Sequence, residues 1–531
     1  MVVARLVEVR PLVTLDEDGT GRVEVHVTIG RTPGSAGPLK VRLAVSDPLG
    51  DPGDRGSTTS VIDAGDTTAT LALTVPDAPV WWPVGYGEQP LATLVVTLAA
   101  QNEHDEPNEH DELDRYQRRI GFRSVRVQEP VDADGEVCGL TVNGRAVFVK
   151  GVVWSPGATL PQRLTRRDRD AVVGRVVAAN VNLLRIRGQG RGESREFYEA
   201  CDEQGVLVWQ DTPRPDPHPS LVVCGSRHTP VGEVPGPESS GDRQVDRHAD
   251  RHADRQWESQ LRQARATMFA VDQARARVPR PGGCVIGPAG DAPGTSWALV
   301  DGENRPLPAW FALRRAYAPR LLSLRPDGAG GLRVAVVNDS DEPFRGHLTL
   351  RRITFGGAVL AGASVAHDVA AWSTQVLTVP RVLATPGDPV GETLVAEAGN
   401  LRATHLFARD RDLSYAPAPV LTSARRTRDG YAVTVTAQSF TRDVTLLAGR
   451  AHPDAAADEA LVSLLAGESH TFRVRTPEPV ALSSLTGPPV VRSANEVRRA
   501  SSGSPGSPDG RRPLRAPSPL PGTDRRGAAS G

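Results

Sequence analysis

Strict alternation of polar and apolar residues marks the first part of the chain as β-structure. Residues 22–29 alternate without a break, as a strand with one buried face requires. The runs 71–75 and 94–98 repeat this pattern, and clusters of Gly, Pro and Asp separate the runs. Short strands with frequent turns predict an immunoglobulin-like β-sandwich over residues 1–128.

The pattern changes over residues 129–319. Residues 146–154 form a near-continuous apolar run, which is typical of a strand buried on both faces. Valines at helical spacing follow within 172–177, and further apolar runs lie at 181–186 and 206–209. Strands that alternate with helices predict a parallel sheet with right-handed crossovers.

The regular alternation ends after the third of these strands. Residues 221–223 and 282–286 are candidate strands, and residues 257–276 and 307–317 are candidate helices. Between them, residues 229–256 are rich in Gly and Pro and then repetitive, with DRHADRHADR at their centre. We expect this stretch to be a low-complexity insert.

Alternating strands return in the last third of the chain. Residues 332–337 suit a β-sandwich over 320–415, and residues 431–436 suit another over 416–495. Residues 496–531 are rich in Ser, Pro, Gly and Arg and have almost no large apolar side chains, so they are predicted to be disordered.

Charge and cysteine content exclude several classes of protein. Lys and Arg number 62 and Asp and Glu 63, so no basic excess points to nucleic acid. No stretch is long and apolar enough to span a bilayer. The four cysteines form no CxxC pair, which favours free thiols in a reducing compartment. We therefore expect a cytoplasmic protein that binds neither nucleic acid nor membrane.

Residues 81–90 read WWPVGYGEQP and resemble the WWPxGYGxQP segment of the family 2 glycoside hydrolases, and among them of the β-mannosidases. Further stretches that resemble the family, in the same order, are 120–123, 142–144, 149–151, 179–185, 197–203, 209–211, 297–301, 312–319, 464–468 and 493–495. Their common order makes the resemblance strong, and it covers most of residues 1–495.

This resemblance implies a multidomain β-rich and α/β fold in which immunoglobulin-like β-sandwiches flank a (β/α)8 TIM-type barrel. The implied reaction is retaining hydrolysis of terminal β-mannosides, and the implied ligands are β-mannoside oligosaccharides. Retaining enzymes need two carboxylates about 5 Å apart, and barrel enzymes hold them at the carboxyl ends of the strands. In this family the acid/base Glu follows an Asn after strand four, and the nucleophile Glu lies in a Ser-Glu-Phe-Gly-like motif on strand seven.

Neither carboxylate motif is found in this sequence. Residues 218–225 resemble the run into strand four, but Ser226-Arg227-His228 follows where Asn-Glu is expected, so His228 falls near the acid/base position. No Ser-Glu-Phe-Gly occurs, and residues 129–319 are fewer than the roughly 200 that a barrel usually needs. With no sequence suited to strands five to seven, we expect an incomplete barrel, no catalytic residues and a pseudoenzyme.

Three residues at predicted strand ends, Arg185, Trp209 and Asp211, are candidates for substrate binding. The alternative is that Arg185 and Asp211 persist in a local polar network and that Trp209 belongs to the core, which the sequence favours because a site needs its complete set of neighbours. His248 and His252 have the spacing of zinc ligands on a helix, but such repeats are usually solvated. We expect neither a metal nor a cofactor.

Four interpretations stay open from the sequence. The chain could be a catalytically inactive β-mannosidase-like hydrolase, or a carbohydrate-binding or scaffolding β-sandwich protein, although Trp372 stands alone in the sequence and belongs to no aromatic row. A partner chain could complete the barrel, because an exposed sheet edge favours pairing with another strand. The reading frame itself could also be damaged.

Overall fold

The computed structural model describes the chain in fourteen segments separated by gaps. These are residues 4–32, 37–47, 54–101, 112–127, 139–154, 166–186, 193–210, 221–223, 232–234, 249–276, 282–287, 299–301, 304–416 and 420–496. Within them, β-sandwiches lie at both ends of the chain and an α/β section lies between them.

The amino-terminal section is a sandwich of two antiparallel sheets with strand orders β1-β2-β5 and β4-β3-β6-β7. The strands are β1 (Ala4–Leu15), β2 (Gly21–Arg31), β3 (Leu39–Ser46), β4 (Gly56–Ile62), β5 (Thr68–Val75), β6 (Ala92–Ala100) and β7 (Glu112–Ile120). Burial alternates along β2, with Val23, Val25 and Val27 inside, which confirms the strand predicted at 22–29. These valines share one core with Phe122.

The middle section begins with a small antiparallel sheet of β8 (Val125–Val127), β9 (Leu140–Val142) and β10 (Arg145–Val147). A parallel sheet follows. Its strands are β11 (Val149–Trp154), β12 (Leu183–Ile186), β13 (Leu207–Gln210), β14 (Leu221–Val223), β15 (Gly232–Val234) and β16 (Gly283–Ile286), and its helices are α1 (Arg166–Val177), α2 (Arg195–Glu203) and α3 (Ala249–Arg275). The predicted parallel pairing is confirmed for β11, β12 and β13.

The parallel sheet has the strand order β14-β13-β12-β11-β16-β15 in the described residues. The two predicted strands at its later positions are confirmed: β14 pairs with β13, and β16 pairs with β11. Its two edges, β14 and β15, are three residues long each. No pairing between these two edges is found within the described segments.

The segment 229–256 differs from the expected low-complexity insert in two places. Residues 232–234 form β15, which adds to the open edge of β16. Helix α3 begins at Ala249, eight residues before the predicted start at Trp257. The repeat contains no Gly or Pro, the two residues that most strongly oppose a helix, so the helix can extend through it towards its amino terminus.

The remaining elements form β-sheets after one helix. They are α4 (Pro308–Ala316), β17 (Arg320–Pro326), β18 (Leu332–Asn338), β19 (Phe344–Thr354), β20 (Val359–Val369), β21 (Ser373–Thr378), α5 (Arg381–Ala384), β22 (Glu392–Ala398), β23 (Leu401–Leu406), β24 (Val420–Thr427), β25 (Gly430–Ala437), β26 (Thr441–Leu446), β27 (Ala456–Ala457), β28 (Val462–Leu464), β29 (Ser469–Arg475) and β30 (Val491–Arg492). Sheets β17-β18-β21 and β20-β19-β22-β23 enclose one core, and the sheets of β24 to β30 enclose another. Among the described helices, none is long and apolar enough to cross a membrane.

A buried ion cluster joins the parallel sheet to the sandwich that follows it. Lys150 on β11 and Arg275 at the end of α3 lie 3.1 and 2.8 Å from the carboxylate of Asp339. All three side chains are almost completely buried, so removal of one would leave an uncompensated charge in the interior. The cluster therefore fixes the sheet, the helix and the sandwich relative to one another.

Candidate functional site

The carboxyl ends of the parallel strands carry a chain of hydrogen bonds between side chains. Trp154, the last residue of β11, donates from Nε1 to Oε1 of Glu193 at 2.8 Å. The Tyr198 hydroxyl accepts from the Glu193 backbone N–H at 3.2 Å and donates to Oε1 of Gln210, the last residue of β13, at 2.9 Å. Strands β11 and β13 are thus linked through helix α2 at the edge of the sheet where barrel enzymes hold their active sites.

Helix α2 holds these groups in place because its inner face is apolar. Phe197, Tyr198 and Cys201 are fully buried, and the Trp154 ring lies 5.2 Å from the Phe197 ring. The helix is followed by Gly205 at a φ of 76°, a conformation that glycine adopts without strain. Burial raises the pKa of the Cys201 thiol well above its usual value, so this thiol is not a candidate nucleophile.

Two of the predicted substrate-binding residues contact each other on neighbouring strands. The Arg185 guanidinium lies 5.7 Å from the centre of the Trp209 ring. Trp209 is only 4% exposed and packs in the main core of the sheet, and its Nε1 has no hydrogen-bond partner within the described residues. In this arrangement the ring presents no open face to a sugar, as the core interpretation predicts.

The other sequence-predicted site residues fall beyond the described part of the chain. Asp211, His228 and His248 lie in the gaps, and His252 lies in α3 without a described side chain. Most of the predicted disordered tail, residues 497–531, is also outside. Within the described segments, no group of three His, Cys, Asp or Glu residues has the geometry to hold a metal ion.

Glu193 is the functional group that the sequence pattern does not single out. It follows a stretch rich in Gly and Arg and belongs to none of the motifs used for the resemblance. Its importance depends on Trp154, which is 39 residues away in the sequence, so only the fold brings the two together. Among the hydrogen bonds described at these strand ends, the one from Trp154 to Glu193 is accepted by a carboxylate.

The WWPVGYG segment has a packing role. Trp81 is fully buried and donates from Nε1 to the backbone oxygen of Asp202 in α2 at 2.8 Å. The Arg123 guanidinium lies 4.2 Å over the Trp81 ring and 3.0 Å from the Asp202 carboxylate. The Tyr86 hydroxyl accepts a hydrogen bond of 2.8 Å from the backbone N–H of Phe148. This segment therefore locks the first sandwich onto the α/β section, away from the strand ends.

A parallel α/β sheet between β-sandwiches defines a multidomain, β-rich fold. The model of the family "Glycosyl hydrolases family 2" matches residues 4–123. β-Mannosidase B of Thermothelomyces thermophilus is 34% identical over 155 residues, which is 29% of this chain and 17% of that protein. β-Mannosidase of Capra hircus is 34% identical over 157 residues, which is 28% of this chain and 16% of that protein.

Two solved structures share the fold. β-D-Mannosidase from Dictyoglomus thermophilum has a TM-score of 0.72 at 21% identity, with 91% of this chain and 75% of that chain covered. The exo-chitosanase CsxA of Amycolatopsis orientalis has a TM-score of 0.65 at 15% identity, with 89% and 76% covered.

These matches confirm the resemblance to the family 2 glycosyl hydrolases, and among them to the β-mannosidases, that the sequence identifies. The segment matched in sequence spans about a sixth of the length of the β-mannosidases named above, 17% and 16%.

Proposed function

We propose that this chain is a β-mannosidase-type homologue with a truncated TIM-type barrel and that it does not hydrolyse glycosides. Six parallel strands are described, with β16 beside β11 as the last strand of a barrel would lie beside the first. The two short edges, β14 and β15, support an interrupted barrel. The sequence supports the same proposal, because it lacks both Glu-containing motifs of the family.

The observation that carries this proposal is the environment of Glu193. Its carboxylate accepts a hydrogen bond from the indole N–H of Trp154, and the other hydrogen bond described between side chains here, from Tyr198 to Gln210, involves no carboxylate. Retaining hydrolysis needs one carboxyl group to protonate the leaving group and another to attack the anomeric carbon. Within the described residues, one carboxylate that accepts a hydrogen bond from a neighbouring indole supplies neither the pair nor the spacing.

Turnover of an aryl β-mannoside by the full chain tests the proposal. We expect no release of the aryl group above the rate in buffer, for the natural chain and for Glu193→Gln alike. Release that persists after purification and disappears in Glu193→Gln, or in Asp211→Asn, would overturn it. Glu199→Gln, in the helix α2 that follows Glu193, removes a partly buried carboxylate away from the strand ends and is the matched control for effects of charge removal.

A second candidate function is non-catalytic binding of β-mannoside oligosaccharides. Trp372 is isolated in the sequence, but the structure stacks its ring on Tyr86 at 4.4 Å. The Arg145 guanidinium lies 5.2 Å from the Trp82 ring and 5.5 Å from the Trp372 ring. Trp82 and Trp372 are only partly buried, so a small aromatic surface is left for a sugar ring.

Calorimetric titration with β-manno-oligosaccharides tests this second candidate. It predicts binding heat that is lost in Trp372→Ala, with Trp310→Phe as a control because Trp310 lies buried in α4. The absence of heat from the folded chain would remove the candidate.

A partner chain that completes the barrel is the rival to this proposal, whereas a cytoplasmic location, as expected from the sequence, belongs to it. The open edges of β14 and β15 are where strands from a partner would pair. Light scattering distinguishes a monomer from an assembly in which a second chain completes the barrel. A well-folded monomer would exclude a permanent partner of this kind.

A further inference from the structure

A cavity of about 260 Å³ lies between the first sandwich and helix α2, remote from the strand ends. Its walls come from β7, from the first residue of α1, from the whole length of α2, and from Leu91. The charged side chains that line it are Arg118, Arg119, Arg166, Arg195, Glu199, Asp202 and Glu203. The volume is below the roughly 300–1,000 Å³ of pockets for drug-sized ligands, so the cavity suits a small molecule or ion.

Three of the four arginines share the two glutamates. Arg119 and Arg166 both contact Oε1 of Glu203, at 2.8 and 3.0 Å. Arg195 contacts Glu199 at 2.7 Å. Arg166 also lies 3.9 Å from Asp170, so these three arginines are balanced by three carboxylates and Arg118 adds a further positive charge.

The remaining carboxylate at the cavity, that of Asp202, already pairs with an arginine outside the lining. It is buried, and the buried Arg123 contacts its Oδ1 at 3.0 Å. Asp202 and Arg123 therefore neutralise each other. The cavity keeps an excess of positive charge.

Arg118 is the decisive residue of this cavity. It is 8% exposed, and its Nε and Nη2 atoms are buried with no hydrogen-bond partner within the described part of the chain. A guanidinium group almost never lies buried without a partner, because desolvation of an uncompensated charge costs several kcal/mol. A bound anion would supply both the missing charge and the missing acceptors.

We propose that this cavity binds a small tetrahedral oxyanion of the phosphate class, with Arg118 as its buried anchor. Arginine presents its donors as a planar fork that matches phosphate oxygens, and several arginines around one cavity are typical of phosphate recognition. Arg119 and Arg195 at the wall are about half exposed and can turn towards such a ligand. The site is independent of the proposed loss of hydrolysis, since it shares no residue with the strand ends.

Titration of the full chain with inorganic phosphate, by calorimetry at low ionic strength, tests this proposal. We expect saturable binding that weakens as salt is added. Arg118→Met should weaken it about ten-fold or more, because it removes a charge-assisted contact. Arg115→Met, an exposed arginine on the same strand, is the matched control and should bind as the natural chain does.

Melting temperature in phosphate-free buffer gives a second readout. Arg118→Met should melt higher than the natural chain there, because an uncompensated buried charge is removed, and phosphate should no longer raise its melting temperature. If this core variant fails to fold, Arg166→Gln tests the same cavity from its exposed side.

Comparison with other anions identifies the source of binding. Sulfate should compete with phosphate, whereas acetate, which is planar and singly charged, should compete poorly. No heat from the folded natural chain, or equal phosphate binding by Arg118→Met, would overturn the proposal.

Discussion

Helix α2 contributes residues to two regions of the molecule, the contact with the first sandwich and the carboxyl ends of the parallel strands. At the contact with the first sandwich, the backbone oxygen of Asp202 accepts a hydrogen bond from Trp81, and its carboxylate pairs with Arg123. All three residues are buried. On the other side, Tyr198 links Glu193 to the strand end at Gln210. The first region matches the family in sequence, whereas the second contains a single described carboxylate where the family's chemistry needs two.

The difference teaches that a family can be recognised from residues that only hold its domains together. Trp81 lies in the WWPVGYG segment, and Asp202 follows the Phe-Tyr pair that the sequence comparison used. Both act in packing, and neither touches the strand ends. Recognition of the family therefore does not by itself establish activity.

The largest effect is expected from Trp81→Ala. The change removes a fully buried ring together with its hydrogen bond to Asp202, so the free energy of unfolding should fall by about 3–5 kcal/mol. Denaturation in urea measures this. Trp82 is the next residue and is only partly buried, so Trp82→Ala should lower the free energy of unfolding clearly less. Equal losses in the two variants would mean that the segment is not a packing element.

Asp202→Asn should give the next largest effect. It leaves Arg123 buried beneath Trp81 without its counter-charge, which should lower the free energy of unfolding by about 3 kcal/mol. Glu203→Gln, the adjacent residue with partly exposed ion pairs, should change stability by less than about 1 kcal/mol. A similar loss in both variants would refute the contrast between the buried and exposed pairs.

The smallest effect concerns Asp272 in α3 and depends on pH. Burial raises the pKa of Asp272 to about 7, although Arg275, Arg325 and Arg315 oppose the shift. The unfolded chain loses this proton near pH 4, whereas the folded chain keeps it up to about pH 7, so stability from this group falls between those values.

Asp272→Asn removes this titration. The natural chain should lose stability from this group as the pH rises, and the variant should not. The free energy of unfolding of the variant minus that of the natural chain should therefore increase by about 1–2 kcal/mol from pH 5 to pH 8. Denaturation of both proteins in urea at pH 5 and at pH 8 measures this increase. If the difference between the two proteins is the same at both pH values, Asp272 is ionised throughout that range.

Much of the fold follows from local sequence patterns. The alternation at 22–29 predicts β2, and the apolar run at 146–154 predicts β11. The start of α3 could not be predicted, because the charged repeat has no apolar periodicity of its own. Strand β15 depends on the open edge of β16, which is a property of the fold.

The candidate site was harder to predict than the fold. Arg185 and Trp209 could be named because they end recognisable strands, but their mutual contact depends on the register of β12 and β13. The link from Trp154 to Glu193 joins two side chains far apart in sequence. Long-range contacts of this kind leave no periodic signal in a single sequence.

Covalent trapping tests the central claim most directly. A 2-fluoro-β-mannoside with a good leaving group accumulates as a glycosyl-enzyme on the nucleophile of a retaining enzyme, because the second step is slowed. Intact-mass spectrometry of the full chain should show no added mass after long incubation. A single stoichiometric sugar adduct, mapped to one Asp or Glu of the middle section, would contradict the proposed absence of a catalytic pair.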